Sequence, residues 1–161
     1  MLKKFLLLFI LLLLCGCSNY VIKNSNYSKV SPNSIIINEI NINKVVNISS
    51  IDDEVNGIVM FSEYGRPDEE GTNTIIAAHS GYGENALFNN LNKLEINDEI
   101  IIIYNNKEYV YLVNNVYEVD EYDTSVLGNM ENTSLTLMTC KKGDSSKRII
   151  AVSVLDSVID M

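Results

Sequence analysis

From residue 35 onward the chain is built of short apolar runs separated by polar or glycine-bearing breaks. Ile35-Ile36-Ile37 with Ile40 and Ile42, then Val45-Val46-Asn47-Ile48, then Gly57-Ile58-Val59-Met60-Phe61 are rich in β-branched residues and predict strands. Thr74-Ile75-Ile76-Ala77-Ala78 reads as a short buried-type strand ending at His79. Glu99–Tyr104 and Glu108–Val119 form a strand pair, with Asn105-Asn106 as the hairpin turn between them. Ser134–Thr139 is a strand running into Cys140, and Arg148–Leu155 is the last strand. A helical stripe occurs in Asn85–Leu94, where Leu87, Phe88, Leu91 and Leu94 fall at i, i+1, i+4 and i+7. A second helical turn is expected near Thr124–Leu127. Arg66–Gly71 and Ser80–Glu84 are breaks, by their Pro, Gly and charge content. Strands dominate and most connections are short, which favours an antiparallel or mixed sheet closed as a barrel.

The first 34 residues follow a different pattern. Lys3 and Lys4 precede an apolar run from Phe5 to Leu14, the order of a secretory signal. The run is shorter than the ~20 apolar residues that cross a bilayer. Leu14-Cys15-Gly16-Cys17 then resembles a bacterial lipobox, with small residues ahead of Cys17, the residue expected to carry the lipid. The competing reading is an uncleaved signal anchor, lengthened by snorkelling lysines. Both put the rest of the chain outside the cytoplasm, at the outer face of the membrane. Ser18–Asn33 is rich in Asn and Ser and reads as a flexible tether. The expected organisation is therefore a signal at 1–16, a tether at 17–34 and one domain at 35–161.

Charge and composition narrow the function. Twelve Lys and Arg against 21 Asp and Glu leave a formal charge of −9, and loss of residues 1–16 would remove two lysines more. An anionic body of this kind is not a nucleic-acid binder, whose affinity comes from neutralising phosphates. Three Cys and one His, two of the Cys in the lipobox, leave too few ligands for a Cys/His zinc cage. No metal or other cofactor is implied.

His79 and Cys140 both stand at the C-terminal ends of predicted strands, where a rigid scaffold presents side chains to loops. A lone thiol and a lone imidazole in an exported chain are a candidate nucleophile and base. Lys141, Lys142, Lys147 and Arg148 follow the thiol, and positive charge favours the nucleophilic thiolate. The plainer alternative is an inert buried Cys beside a surface His and a solvated charge run.

Thr136-Leu137-Met138-Thr139-Cys140, with Arg148 opening the next strand, resembles the signature of the sortases, cysteine transpeptidases of Gram-positive surfaces. Asn73–His79 resembles the sortase strand that ends in the catalytic His, and Ala86–Leu91 the helical segment after it. The resemblance runs from about Ile35 to the end. It implies a mainly β fold, a closed barrel of about eight strands with one or two short helices. It implies Cys140 as nucleophile, His79 as acid/base and Arg148 as the oxyanion or substrate-positioning cation. Ser80, Leu137 and Thr139 are candidate substrate contacts, with one of the last two touching substrate and the other the core. The implied reaction is cleavage of a Leu-Pro-x-Thr-Gly-like sorting motif of exported surface proteins through a thioester. The acyl group then passes to an amine, from a cell-wall precursor or a pilin lysine.

Ala78 stands where the family commonly has Gly, and the stretch Lys141–Lys147, which helps shape the cleft, is shorter than in many members and leaves substrate choice open; Asn56–Phe61 resembles the class B type in part, and no subclass is assigned. Carboxylate loops hold calcium in some sortases. Asp68-Glu69-Glu70 is instead read as a solvated acidic loop, because such a site needs about six to eight oxygens from converging segments. An L,D-transpeptidase also uses Cys, His and Arg, but wants Gly before the Cys and Arg two positions after, where this chain has Thr139 and Lys142. A degenerate sortase-like lipoprotein that only binds peptide is the non-enzymatic alternative.

Overall fold

The computed structural model describes residues 33–128 and 130–161. The signal, the lipobox Cys17 and most of the tether lie outside them. Eight strands form a closed barrel in the order β1-β2-β3-β4-β7-β8-β6-β5, with β5 (Glu99–Tyr104) returning to β1 (Asn33–Ile37). The others are β2 (Ile42–Ser49), β3 (Ile58–Phe61), β4 (Asn73–Ala78), β6 (Lys107–Asp120), β7 (Ser134–Lys141) and β8 (Asp144–Asp160). β2 with β3 and β4 with β7 run parallel, and the remaining neighbours are antiparallel. The expected mixed, closed sheet of about eight strands is what forms. β1 starts at Asn33, two residues before the domain boundary read from the sequence.

The Asn105-Asn106 turn has both residues at positive φ, 49° and 60°, the backbone a two-residue hairpin needs to match the twist of its strands. One face of the sheet fills the barrel with Ile35, Met60, Ile76, Ile100, Ile102, Tyr111 and Leu135. Burial pushes the Tyr111 phenol well above its usual pKa, so it is a neutral core residue. β4 is buried along its whole length because it is covered on both sides. Ile76 and Ala78 face the interior, while Ile75 and Ala77 pack outside with Val59 and Phe61. That double burial is why β4 reads as a continuous apolar run rather than an alternation. Outside β8, Ile150 and Val152 are covered by Val126 and Leu127 of the β6–β7 connection, where the 3-10 turn Ser125–Leu127 matches the expected helical turn.

The helix expected over Asn85–Leu94 does not form. The segment is a chain of turns ending in a 3-10 turn at Leu91–Lys93. Its apolar stripe is nevertheless inward: Phe88, Leu91 and Leu94 are buried, and Leu87 is half-buried against the core. The hydrogen bonds span three residues instead of four, from Leu91 N–H to the Phe88 carbonyl (3.1 Å) and from Leu94 N–H to the Leu91 carbonyl (3.3 Å). Four Asn in ten residues explain the difference. Asn competes for backbone groups, and Asn89 does so by clasping Gly81, accepting from its N–H (2.8 Å) and donating to its carbonyl (3.2 Å). A ten-residue helix has little cooperativity to resist this. Phe88 anchors the segment, so Phe88→Ala is expected to destabilise the barrel by about 3–5 kcal/mol. A urea midpoint within error of the parent's would show that the segment carries no packing energy.

Candidate active site

The parallel pair β4–β7 sets the register of the site. Ala77 is opposite Met138, so His79 and Cys140 leave adjacent strands at the same level. On the other side of β7, Cys140 is paired directly with Arg148 of β8. Alternation puts all three on the outer face: His79 follows Ile75 and Ala77, Cys140 follows Met138, and Arg148 precedes Ile150 and Val152. The three side chains share one groove of about 170 Å³, floored by Val55, Phe61, Ala77 and Met138. His79 is exposed, while Cys140 and Arg148 are half-buried. Cys140 also borders a cavity of about 300 Å³ at the barrel mouth, walled by Phe88, Asn89 and Asn92. Cys140 thus borders two recesses.

Backbone contacts hold this end rigid. The His79 carbonyl accepts the Phe88 N–H at 3.0 Å. The Thr139 hydroxyl donates to the Ala78 carbonyl at 2.7 Å, and the Ser80 hydroxyl donates to the Cys140 carbonyl. Asn73 accepts from the Thr136 hydroxyl (3.0 Å) and donates to the Val126 and Gly128 carbonyls (3.3 and 3.0 Å), pinning the β6–β7 connection beside the groove.

The three expected substrate contacts are placed differently. Ser80 borders the mouth cavity, with its hydroxyl engaged on Cys140. Leu137 is wholly buried inside the barrel. Thr139 is buried too and points the same way, because residues two apart share one face of a strand. The pair therefore does not divide between substrate and core as expected, although Thr139 reaches the edge of the groove. The groove floor from Val55, Phe61 and Met138 was not singled out in the sequence, since these residues read as ordinary strand and loop positions.

The cationic run after Cys140 is less cationic than its sequence suggests. Lys141 pairs with Glu118 at 2.8 Å, Lys147 with Asp120 at 3.7 Å, and Arg148 with Glu121 at 3.3 Å. The Glu118 carboxylate holds the Lys141 ammonium above its usual pKa. Lys142 instead lies 4.7 Å from the centre of the Tyr82 ring, across from the loop that follows His79. β6 and the residue that follows it thus supply three acids, Glu118, Asp120 and Glu121, to the hairpin that carries the thiol. In the Arg66–Gly71 loop, Asp68 accepts from the Asn105 amide of the β5–β6 turn (3.0 Å) and Glu69 accepts from the Arg66 N–H (3.0 Å). Among the described residues no cluster of His, Cys, Asp and Glu could hold a metal ion.

A half-exposed thiol with an imidazole and a guanidinium on flanking strands has the make-up of a cysteine acyltransferase site. Residues 35–156 match the family model of the sortase domain. Sortase A of Listeria monocytogenes is 32% identical over 82 residues, which cover 50% of this chain and 37% of that protein. The solved structure of Listeria monocytogenes sortase A matches with a TM-score of 0.72 at 24% identity, covering 81% of this chain and 90% of that one. A Clostridium perfringens sortase D5 transpeptidase matches with a TM-score of 0.67 at 28% identity, covering 79% of each chain. The chain belongs to the sortase family, and its barrel is the sortase fold.

Proposed function

We propose that this protein is a cysteine transpeptidase that cuts a Leu-Pro-x-Thr-Gly-like sorting motif near the C-terminus of exported proteins. The observation that carries this reading is the convergence of His79, Cys140 and Arg148 on one groove with an apolar floor. The Cys140 sulfur attacks the scissile carbonyl, forming a C–S bond and a tetrahedral oxyanion. Arg148 supplies fixed N–H donors and a permanent positive charge where that oxyanion develops. His79 gives a proton to the departing amine as the C–N bond breaks, leaving a thioester. An acceptor amine then attacks the thioester, the C–S bond breaks, and His79 takes up the amine's proton. Val55, Phe61 and Met138 suit the Leu and Pro side chains of such a motif, and the mouth cavity leaves a second approach to Cys140 for the acceptor. The acceptor is the amine of a cell-wall precursor or a pilin lysine.

The direct test incubates the soluble domain with a panel of Leu-Pro-x-Thr-Gly peptides, with and without an added amine, and follows the intact mass. A mass gain on Cys140 that an amine discharges is the expected result. Peptide binding without any acyl-enzyme would leave a peptide-binding module instead.

The working location is the outer face of the cytoplasmic membrane, held by a lipid on Cys17. No helix among the described residues is long and apolar enough to cross a membrane. Metabolic labelling with a fatty acid is expected to mark the full chain and to disappear in Cys17→Ser. Label retained in Cys17→Ser and lost in Cys15→Ser would move the lipid to Cys15.

A further inference from the structure

We propose that Glu121 is a positioning residue for the reaction, holding the Arg148 guanidinium so that its remaining donors face the groove. This rests on the role given to Arg148 above. The carboxylate of Glu121 accepts from Arg148 Nη2 at 3.3 Å, while Nη1 donates to the Ser145 carbonyl at 2.8 Å and the Lys147 carbonyl at 3.1 Å. These bonds use three N–H groups of the five on a guanidinium, and leave Nε and one Nη2 hydrogen for an oxyanion or a peptide carbonyl. A side chain with four rotatable bonds is thereby tied through both Nη atoms, with Nε and one Nη2 hydrogen left uncommitted.

The support under Glu121 is itself ordered. Its N–H donates to the Ser146 carbonyl at 2.9 Å, one step beyond the Asp120–Lys147 register pair, so the carboxylate rides on an extension of the β6–β8 ladder. Ser146 is tied to Asp144, which accepts from its hydroxyl at 2.7 Å and its N–H at 3.1 Å, and these bonds hold the Asp144 carboxyl below its usual pKa. The Arg148–Glu121 pair is also less exposed than the Lys141–Glu118 and Lys147–Asp120 pairs beside it. Its side chains are 22% and 31% exposed, against 38% and 49% for Lys141–Glu118. Glu121 is itself an exposed residue, so the hold on the guanidinium comes from the pair together with the two backbone carbonyls on Nη1.

The test is a double-mutant cycle on acyl-enzyme formation, using the Leu-Pro-x-Thr-Gly peptide of the panel that acylates the parent fastest. Single-turnover rates on Cys140 are measured against peptide concentration for the parent, Glu121→Ala, Arg148→Ala and the double variant. Glu121→Ala is expected to slow acylation at saturating peptide by about 10- to 100-fold, with KM changed by no more than about twofold. Glu121→Gln, whose amide oxygen can accept the same N–H, is expected to recover part of that loss. In the Arg148→Ala background, removing Glu121 should change the rate by less than about twofold, because no guanidinium is left to position.

A Glu121→Ala enzyme as fast as the parent overturns the proposal. A faster one does too, and would make Glu121 a restraint on Arg148. Equal slowing with and without Arg148 would make the effect merely structural and also overturns it. Should Glu121→Ala lose its folded circular dichroism spectrum, the Gln variant carries the same cycle. If Arg148→Ala itself acylates like the parent, the role of Arg148 falls and that of Glu121 with it. A parent that no peptide of the panel acylates removes both along with the function proposed above.

Discussion

Cys140→Ala will form no acyl-enzyme with any sorting-motif peptide, a loss of at least about 10⁴-fold in product formation. The loss is total because nothing nearby can replace the sulfur. Cys140 is the free cysteine among the described residues. The neighbouring hydroxyls are committed elsewhere: Thr139 points into the barrel and donates to the Ala78 carbonyl, and Ser80 donates to the Cys140 carbonyl. That last bond uses the main chain, so it survives the substitution. The thiol is half-exposed and small, and its removal should change stability by less than about 1 kcal/mol. Intact-mass measurement after incubation with peptide, beside a thermal melt, reads both effects. An acyl adduct still present in Cys140→Ala would move the nucleophile to another residue and end the proposed mechanism.

His79→Ala should lower amine-dependent product formation by about 10²–10⁴-fold while leaving the thiol alkylable by iodoacetamide. The chain has one His, so no second imidazole can take over. The two readouts separate because alkylation needs only a nucleophilic sulfur, whereas peptide cleavage needs a proton delivered to a poor leaving group. The side chain is exposed and the local backbone is held through the His79 carbonyl to the Phe88 N–H, so the fold should tolerate the change. Added imidazole is expected to restore part of the activity by filling the vacated space. Transpeptidation at the parental rate in His79→Ala would leave the imidazole without a role.

Much of the barrel was legible because strands need little context. β-branched runs, an Asn-Asn turn and a continuous apolar β4 are local signals and became strands and a hairpin, although Ile40 falls in the 3-10 turn Asn38–Ile40 and Ile42 joins Val45–Ile48 in the single strand β2. The errors lie where local signals underdetermine the answer. In Asn85–Leu94 the apolar spacing correctly identified the buried side chains, but burial does not decide whether a hydrogen bond spans three residues or four. The clasp of the Asn89 side chain on Gly81 and the Phe88–His79 contact decided that. β8 continues past Leu155 to Asp160 because Glu108 and Lys107 of β6 are there to pair with Ile159 and Asp160, although Val158-Ile159 between two Asp is too short a run to read as a strand alone.

The site divides in the same way. Thr136–Cys140, Arg148 and Asn73–His79 are contiguous motifs, so the thiol, the imidazole and the guanidinium could be named from the chain by resemblance. Which strands lie side by side is a long-range property. The β4–β7 and β7–β8 pairings, which bring these residues onto one face, join residues about 60 and about 10 positions apart through main-chain bonds that any sequence can make. Glu121 read as one polar residue in a connection, and only the β6–β8 register carries its carboxylate to Arg148. Side-chain type and strand propensity are properties of residues and are written in the sequence. The direction a side chain faces, and what stands opposite it, depend on closure of the barrel, which is the lowest-energy arrangement of all eight strands together.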